Sequence, residues 1–225
     1  MKPAPQKYRT TNWKTYNEAL KARGSLLIWL DPVMKWHGRP SGRRGRSPTF
    51  SDEAIQFCLS IKCLFNLPLR QAMRMTQSLL HLAGRDWPVP DYSTVSRRQK
   101  TLQVAIGAVP TTTGLHLLVD STGIKMLGEG EWKTKKHGAD YRRQWRKAHL
   151  GIDASTREIR GRAIWKRWSG YHRRSLVETK MRCCKLLGER VMARDFDRQV
   201  AELQVRAAVL NRFTRLGTPV TVPVL

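Results

Sequence analysis

The sequence GYHRRSLVETKMRCCKLLG, at residues 170–188, decides how this chain can fold and act. Because a helix turns by about 100° per residue, the stretch would gather four polar side chains on one narrow face. They are Tyr171, Arg174, Glu178 and Lys185. The apolar side chains fall on the opposite side, where Lys180 is the one charged residue. The stretch therefore predicts a helix that buries one side and presents a carboxylate, two cations and a phenol on the other.

Such a polar face suits a phosphate and a metal ion, although ordinary ion pairs on a solvated face would give the same pattern. Asp120 favours the functional interpretation, because it closes the apolar, strand-like run LHLLV at residues 115–119. An Asp at the end of a strand and a Glu on a helix together indicate a metal-dependent nuclease or transposase core. Such a core takes Mg²⁺ or a similar ion, because Mg²⁺ prefers oxygen ligands.

The excess of basic over acidic residues indicates what kind of molecule the chain binds. The 225 residues include 42 Lys and Arg against 17 Asp and Glu, which gives a net charge of +25. Self-repulsion of this size is tolerated mainly when a polyanion neutralises it, so nucleic acid is the leading partner. A ribosomal-type RNA binder or a membrane-surface protein would share this balance. The chain has no apolar signal region at its N-terminus and no apolar run that could span a bilayer, which predicts a cytoplasmic protein.

The cysteines predict no disulfide or metal site. They are Cys58, Cys63, Cys183 and Cys184. Their spacing gives neither CxxC pairs nor an arrangement with His that is typical of metal ligands. Because each lies in an apolar, helical context, we expect four reduced thiols in the core.

The chain divides into three predicted segments of a mixed fold, α+β or α/β. Residues 1–50 form a basic N-terminal arm and linker, in which GRPSGRRGRSP at residues 38–48 is either flexible or a contact to the DNA backbone. Residues 51–110 form a helical DNA-binding region. Residues 111–225 hold the strand around Asp120 and the helix of residues 170–188.

The helical region resembles a helix-turn-helix module. Ser51 is a predicted N-cap, residues 66–68 (NLP) break the first helix, and a second helix follows over residues 69–82. A short third helix is predicted after a cap at Ser93 or Thr94. It carries the candidate DNA-binding side chains Ser96, Arg97, Arg98 and Lys100. A small helical bundle with a solvated basic face is the alternative.

Strands and one further helix are predicted after residue 114. The strand candidates are residues 115–120, 123–126 after a turn, 148–152 and 158–164. Between them, residues 131–147 are basic with interleaved aromatics, which fits a hairpin on the DNA backbone or an ordinary solvated hairpin. A helix from Asp195 to about residue 212 would bury a stripe of apolar side chains.

At this point the chain resembles a known family, the DDE transposases of bacterial insertion sequences, and specifically the large family numbered five. The matching segments are DSTG at 120–123, GEGEW at 128–132, TNW at 11–13, RDFD at 194–197, and the signature Tyr171, Arg174, Glu178 and Lys185 with gaps of two, three and six residues. The resemblance covers nearly the whole chain.

The resemblance implies a ribonuclease-H-like catalytic domain over residues 111–225. In it, Asp120 and Glu178 would be the first and last carboxylates that bind Mg²⁺ or Mn²⁺. Arg174 and Lys185 would hold DNA phosphates. The hydroxyl of Tyr171 would orient DNA, or its ring would stack on a base. Because DDE enzymes often act as multimers, the resemblance implies a homo-oligomer as one possible state.

The chain also departs from the family pattern. Family members carry a second catalytic Asp on a strand between the Asp120 strand and the Glu helix. Here residues 159–160 run almost directly into GRAIW at 161–165, which predicts an internal deletion that removes this strand and its Asp. The remaining carboxylates between Asp120 and Glu178 are Glu129, Glu131, Asp140, Asp153 and Glu158. Asp153 is the least unsuitable substitute, but it is predicted as a turn residue.

Three hypotheses follow. In the first, the chain is a transposase that binds terminal inverted repeats and catalyses metal-dependent cleavage and strand transfer, disabled here by the deletion. In the second, it is a non-catalytic DNA-binding remnant that competes with the intact transposase. In the third, it is a general basic nucleic-acid binder without preference for these ends.

Overall fold

A computed structural model of the protein describes residues 8–26, 29–31, 33–40, 42, 47–107, 117–126, 145–160, 174–188 and 190–223. These residues form six α-helices and six strands. The structure is thus of the mixed α and β type that the sequence predicts. The elements in chain order are β1 (Tyr8–Thr10), α1 (Trp13–Ala22), α2 (Asp52–Leu64), α3 (Leu69–Leu82), α4 (Tyr92–Thr101), β2 (Leu117–Met126), β3 (Trp145–Asp153), β4 (Ile159–Arg160), α5 (Arg174–Leu186), β5 (Arg190–Val191), α6 (Phe196–Leu216) and β6 (Thr221–Pro223). None of the helices in these ranges is long and apolar enough to cross a membrane.

The start of α2 and the turn between α2 and α3 are explained by nearby residues. The hydroxyl oxygen of Ser51 accepts the N–H of Ala54 at 3.0 Å, which confirms the predicted N-cap. The chain turns at Asn66, whose φ of 49° lies in the left-handed region that Asn tolerates. Helix α3 then covers Leu69–Leu82, and the predicted range is confirmed.

The predicted cap of α4 is wrong by two or three residues. Its N-cap is Asp91, whose side chain accepts the N–H of Ser93 at 2.9 Å, so that the helix begins at Tyr92. A carboxylate is at least as good an N-cap as a hydroxyl, and its charge is favoured by the helix dipole. Ser93 and Thr94 therefore lie inside the helix.

A first hydrophobic core lies among α2, α3, α4 and α6. Trp29 and Trp36, from the segment before α2, belong to it as well. An isolated bridge joins His37 to Phe50, and the N–H of Gly38 donates to Thr49 at 3.0 Å. The two ends of the basic segment 38–48 are thus joined to each other directly before α2; residues 41 and 43–46 lie outside the described residues.

The main sheet has four strands in the order β4-β3-β2-β5. Strand β3 is antiparallel to β2 and to β4, whereas β5 is parallel to β2. Strand β2 runs unbroken through Met126, so the predicted turn before Gly123 is wrong. Residues 115–116 and 161–164 of the predicted strands lie outside the described residues, as do residues 131–144 of the predicted hairpin.

Helices α5 and α6 close a second core on this sheet. The predicted helix of residues 170–188 is confirmed over Arg174–Leu186, with residues 170–173 outside the described part of the chain. The predicted helix after Asp195 is confirmed and extends to Leu216. The buried members of the second core are Leu118, Ile152, Ala154, Ile159, Val177, Met181, Cys184, Ala207 and Leu210.

The basic N-terminal arm docks on the C-terminal end of α6. Strand β1 pairs with β6, and the N–H of Thr11 donates to Val220 at 2.8 Å. Helix α1 packs against α6, where Ala19 meets Gly217 so closely that a Cβ at 217 would lie 2.7 Å from that of Ala19. Trp13, the first residue of α1, is 59% exposed.

Candidate active site

Asp120 lies inside strand β2 rather than at its end. It is the fourth residue of the strand, and its Oδ1 accepts the N–H of Ser121 at 2.7 Å. The expectation that Asp120 closes the strand is wrong, because pairing with β3 continues without a break to Lys125. The carboxylate is half-buried.

The register of the sheet tells which face carries Asp120. Successive side chains of a strand alternate between the two faces, so Asp120 shares a face with Leu118. Its cross-strand partner is Leu150, which packs against the second core. Val177 of α5 belongs to that same core. Asp120 therefore lies on the face of the sheet that α5 covers.

Glu178 lies on α5, one residue after the buried Val177, and is exposed at the rim of the helix–sheet contact. Helix positions 174, 178 and 185 are four and seven residues apart and so form one stripe. Arg174 begins the helix, and Lys185 is exposed in its last turn. Tyr171, the remaining signature residue, lies outside the described residues.

Lys180 is on the buried side of α5, as predicted. Its Nζ donates to the hydroxyl of Thr214 on α6. Burial lowers the pKa of Lys180, and the nearby cations Arg23 and Arg157 lower it further. The lysine thus serves the contact between α5 and α6, on the side of the helix away from Glu178.

Asp153, predicted as a turn residue, lies one residue before the turn, and its side chain binds Ser155 within that turn. It ends β3, is fully buried, and its Oδ1 accepts both the N–H (2.9 Å) and the hydroxyl (2.6 Å) of Ser155. Its cross-strand partner is Leu117, so Asp153 faces the side of the sheet opposite to Asp120. It also lies three residues, about 10 Å, along β3 from the partner of Asp120.

Glu158 belongs to the turn that Asp153 precedes and is paired with α6. Its side chain is buried and accepts Nε–H of Arg215 at 3.1 Å, while its backbone oxygen accepts the N–H of Asp153 at 2.9 Å. The other three carboxylates between Asp120 and Glu178 lie outside the described residues; they are Glu129, Glu131 and Asp140. In the described part of the chain, no three His, Cys, Asp or Glu residues group as a metal site would require.

The donors that the structure does place fit part of a magnesium centre. Asp120 and Glu178 offer carboxylate oxygens from two elements that pack together, which suits the preference of Mg²⁺ for oxygen ligands on rigid elements. A third protein carboxylate is not supplied by Asp153 or Glu158, because both lie at the β3–β4 turn.

The predicted DNA-binding residues share helix α4 but differ in their contacts. The Arg98 guanidinium donates to Phe50 O at 3.0 Å and forms an ion pair with Asp52. The ammonium group of Lys100 lies 3.7 and 3.9 Å from carboxylate oxygens at the start of α6, those of Asp195 and Asp197. Arg97 is exposed, and its described contact is a 3.5 Å hydrogen bond to the Thr94 hydroxyl. DNA contact by the three stays a prediction.

Sequence reasoning missed a buried ionic cluster. Glu202 of α6 lies 3.2 Å from the Lys62 ammonium and 2.9 Å from the Arg206 guanidinium, and all three side chains are nearly inaccessible. Glu202 also accepts the N–H groups of Met192 (3.2 Å) and Ala193 (3.3 Å). The cluster fixes the chain between β5 and α6 against α2. The i, i+4 spacing of Glu202 and Arg206 was its only sequence signal.

Comparison with known proteins identifies the family. Two protein-family models, both described as transposase DDE domain, match residues 21–129 and residues 111–166. Both matches include Asp120, and both end before Glu178. No solved structure matches the chain. The chain belongs to the DDE transposases.

Proposed function

We propose that this protein binds the terminal inverted repeats of its insertion sequence but carries an incomplete centre for metal-dependent cleavage and strand transfer. The observation that carries the proposal is the placement of the carboxylates. Asp120 and Glu178 lie on the sheet face and helix that pack together, whereas Asp153 faces the opposite side of the sheet and Glu158 belongs to the β3–β4 turn. The second catalytic Asp would have been lost with the internal deletion after residue 160.

The chemistry explains why one missing ligand matters. Two metal ions about 3.5–4 Å apart stabilise the attacking and leaving oxygens during phosphoryl transfer on DNA. Asp120 and Glu178 would hold Mg²⁺ or Mn²⁺, which supplies this charge stabilisation when bound. Catalysis of this kind is mostly positioning and charge neutralisation, so a centre with two protein carboxylates should lose most of its activity.

The DNA-binding half of the proposal rests on charge. A net charge of +25 provides the cations that replace counterions on a DNA duplex. Lys185 is exposed on the stripe of Glu178, as a phosphate contact requires. The signature spacing of residues 171–185 favours the insertion-sequence family numbered five. Such a protein would act in the cytoplasm, pair the two ends of the element as an oligomer, and compete with an intact transposase.

The test is a combined binding and cleavage assay on DNA that carries the inverted repeats flanking the gene. With Mg²⁺ or Mn²⁺, we expect the protein to bind the repeat in preference to a scrambled duplex and to produce no metal-dependent nick. Metal-dependent nicking that disappears in Asp120→Asn and Glu178→Gln would show that the centre is complete. Asp153→Asn is the matched control, because its position on the opposite face predicts no effect on any nicking observed.

A further inference from the structure

The lengths of the connections in the helical region indicate that α3 is the second helix of a helix-turn-helix motif. A helix-turn-helix motif joins its two helices by a turn of about three or four residues, and the second helix enters the major groove. Residues 65–68 join α2 to α3, whereas residues 83–91 separate α3 from α4. The longer connection is itself ordered, with Trp87 stacked on Trp36 at a ring distance of 5.1 Å. The tight turn therefore precedes α3 and not α4.

The outer face of α3 has the composition of a DNA-reading surface. The helix contains no Asp or Glu. Its exposed side chains at positions four, seven and eleven residues apart form one stripe, and they are Arg70, Arg74, Gln77 and His81. The opposite side of the helix is buried in the first core through Ala72, Met73 and Leu80. The stripe is thus fixed in its orientation relative to α2.

Arginine and glutamine are the side chains that recognise guanine and adenine by paired hydrogen bonds in the major groove. Two of them are already oriented towards each other, because Arg74 donates to the Gln77 side-chain oxygen at 2.8 Å. The Arg70 guanidinium lies 4.4 Å from the centre of the Tyr92 ring and donates to its hydroxyl at 3.1 Å. Tyr92 of α4 therefore holds Arg70 at the start of the stripe.

Several side chains of α4 contact the neighbouring helices α2 and α6. Arg98 is bound to Phe50 and Asp52 at the start of α2. Gln99 is buried and donates to the backbone oxygen of Arg198 at 2.9 Å, and Lys100 lies beside the carboxylates that begin α6. Through these contacts α4 connects α2 with α6. Arg97 is the arginine of α4 that stays exposed.

We infer that α3 is the DNA-reading helix of this protein, with Arg74 and Gln77 on the base edges of the inverted repeat and Arg70 set at the groove by Tyr92. This inference rests on the proposed binding of the element's ends. The sequence predicts candidate DNA-binding side chains on α4. We assign base recognition to α3 instead, and α4 then packs between α2 and α6.

The test compares Arg74→Ala and Gln77→Ala with Arg97→Ala, which removes the same charge as Arg74→Ala but from the exposed face of α4. Dissociation constants are measured for a duplex of the flanking inverted repeat and for a scrambled duplex of equal length, at two salt concentrations. Each α3 variant should lower the preference for the repeat by about tenfold, while Arg97→Ala should change the preference by less than about twofold. Thermal melting confirms that the variants are folded, as expected for exposed sites.

The outcomes separate the two proposals. Equal binding of both duplexes by the unmodified protein would overturn the proposed function and this inference with it. A preference that survives both α3 substitutions, or that is lost in Arg97→Ala instead, would overturn the assignment of α3 while leaving end binding in place.

Discussion

The helical region (α2, α3 and α4) and the sheet region (β2 to β5 with α5) differ in how much of their core they supply themselves. The helical region buries long stretches of α2 and two tryptophans. The sheet region has outer strands of only two residues each, β4 and β5. Both regions pack against α6. This helix contributes Val205 and Val209 to the first core and Ala207 and Leu210 to the second.

Helix α6 also completes the sheet at its edge. Asn211, fully buried on α6, accepts the N–H of Ile159 at 2.7 Å and donates to the oxygen of the same residue at 2.8 Å. One side-chain amide thus satisfies both backbone groups that the outer strand β4 would otherwise leave open. The comparison teaches that a side chain from a helix can satisfy the backbone groups at the edge of a short sheet.

The largest predicted effect concerns Glu202, which ties α6 to the helical region. In Glu202→Gln, Lys62 and Arg206 stay buried without their counter-charge, and we expect the free energy of unfolding to fall by about 3 kcal/mol or more. Urea denaturation followed by circular dichroism measures this change.

The control for that experiment is Glu18→Gln, which breaks the exposed pair of Glu18 with Lys21. Exposed pairs contribute little, so a change of about 0.5 kcal/mol or less is expected. Similar effects of the two substitutions would contradict the view that the buried cluster joins the regions.

A matched pair of cavities tests whether the regions unfold together. Ile55 of the first core and Ile152 of the second are both fully buried. Each Ile→Ala substitution should lower the free energy of unfolding by about 2–5 kcal/mol. Because α6 contributes to both cores, we expect a single transition in each variant, with faster amide hydrogen exchange in both regions. Exchange that rises only in the sheet region of Ile152→Ala would show that the sheet region unfolds independently.

The smallest predicted effect is a dependence on alkaline pH that belongs to the helical region. Burial raises the pKa of Cys58 from 9.0 to about 12 and that of Cys63 from 9.0 to about 11. Above pH 9 the unfolded thiols lose their protons while the folded ones keep them, so stability is complete below this pH and falls as the pH rises. The loss should be about 1 kcal/mol for each thiol over the first pH unit above 9.

Cys58→Ala should remove part of this slope in urea titrations at increasing pH. The control is Cys183→Ala, on the half-buried thiol of α5, which removes one sulfur from the sheet region. Lys180 acts in the opposite direction, because its lowered pKa makes stability rise with pH below 10.5. Lys180→Met should therefore make the alkaline loss steeper, and an unchanged slope would contradict the burial of this charge.

Much of the helical region could be predicted, because its boundaries depend on nearby side chains. Ser51 lies directly beside the N–H groups that it caps, and Pro68 cannot continue a helix from its N-terminal side and becomes the N-cap of α3. The start of α4 was missed because Asp91 and Ser93 are both good caps at almost the same place, and sequence does not decide between adjacent acceptors.

The sheet region depended on pairing that sequence does not reveal. Ser121, Thr122 and Gly123 have turn-like composition, yet pairing with β3 keeps β2 extended through them. The spacing of the signature predicted the stripe of Glu178 and Lys185, since helical geometry alone sets it. That Asp153 lies on the wrong face for Asp120 follows from the strand register, which no local pattern contains.

The ribbon of β1 and β6 places a constraint on the order of folding. The hydrogen bond from the Thr11 hydroxyl to Val220 spans a sequence separation of 209 residues. Contacts of such separation form late, because the entropy of closing the intervening chain must be overcome first. During translation, β1 and α1 emerge first and cannot form their contacts with β6 and α6 until those elements have been synthesised. The basic N-terminal segment is therefore available to other partners throughout the synthesis of the rest of the protein.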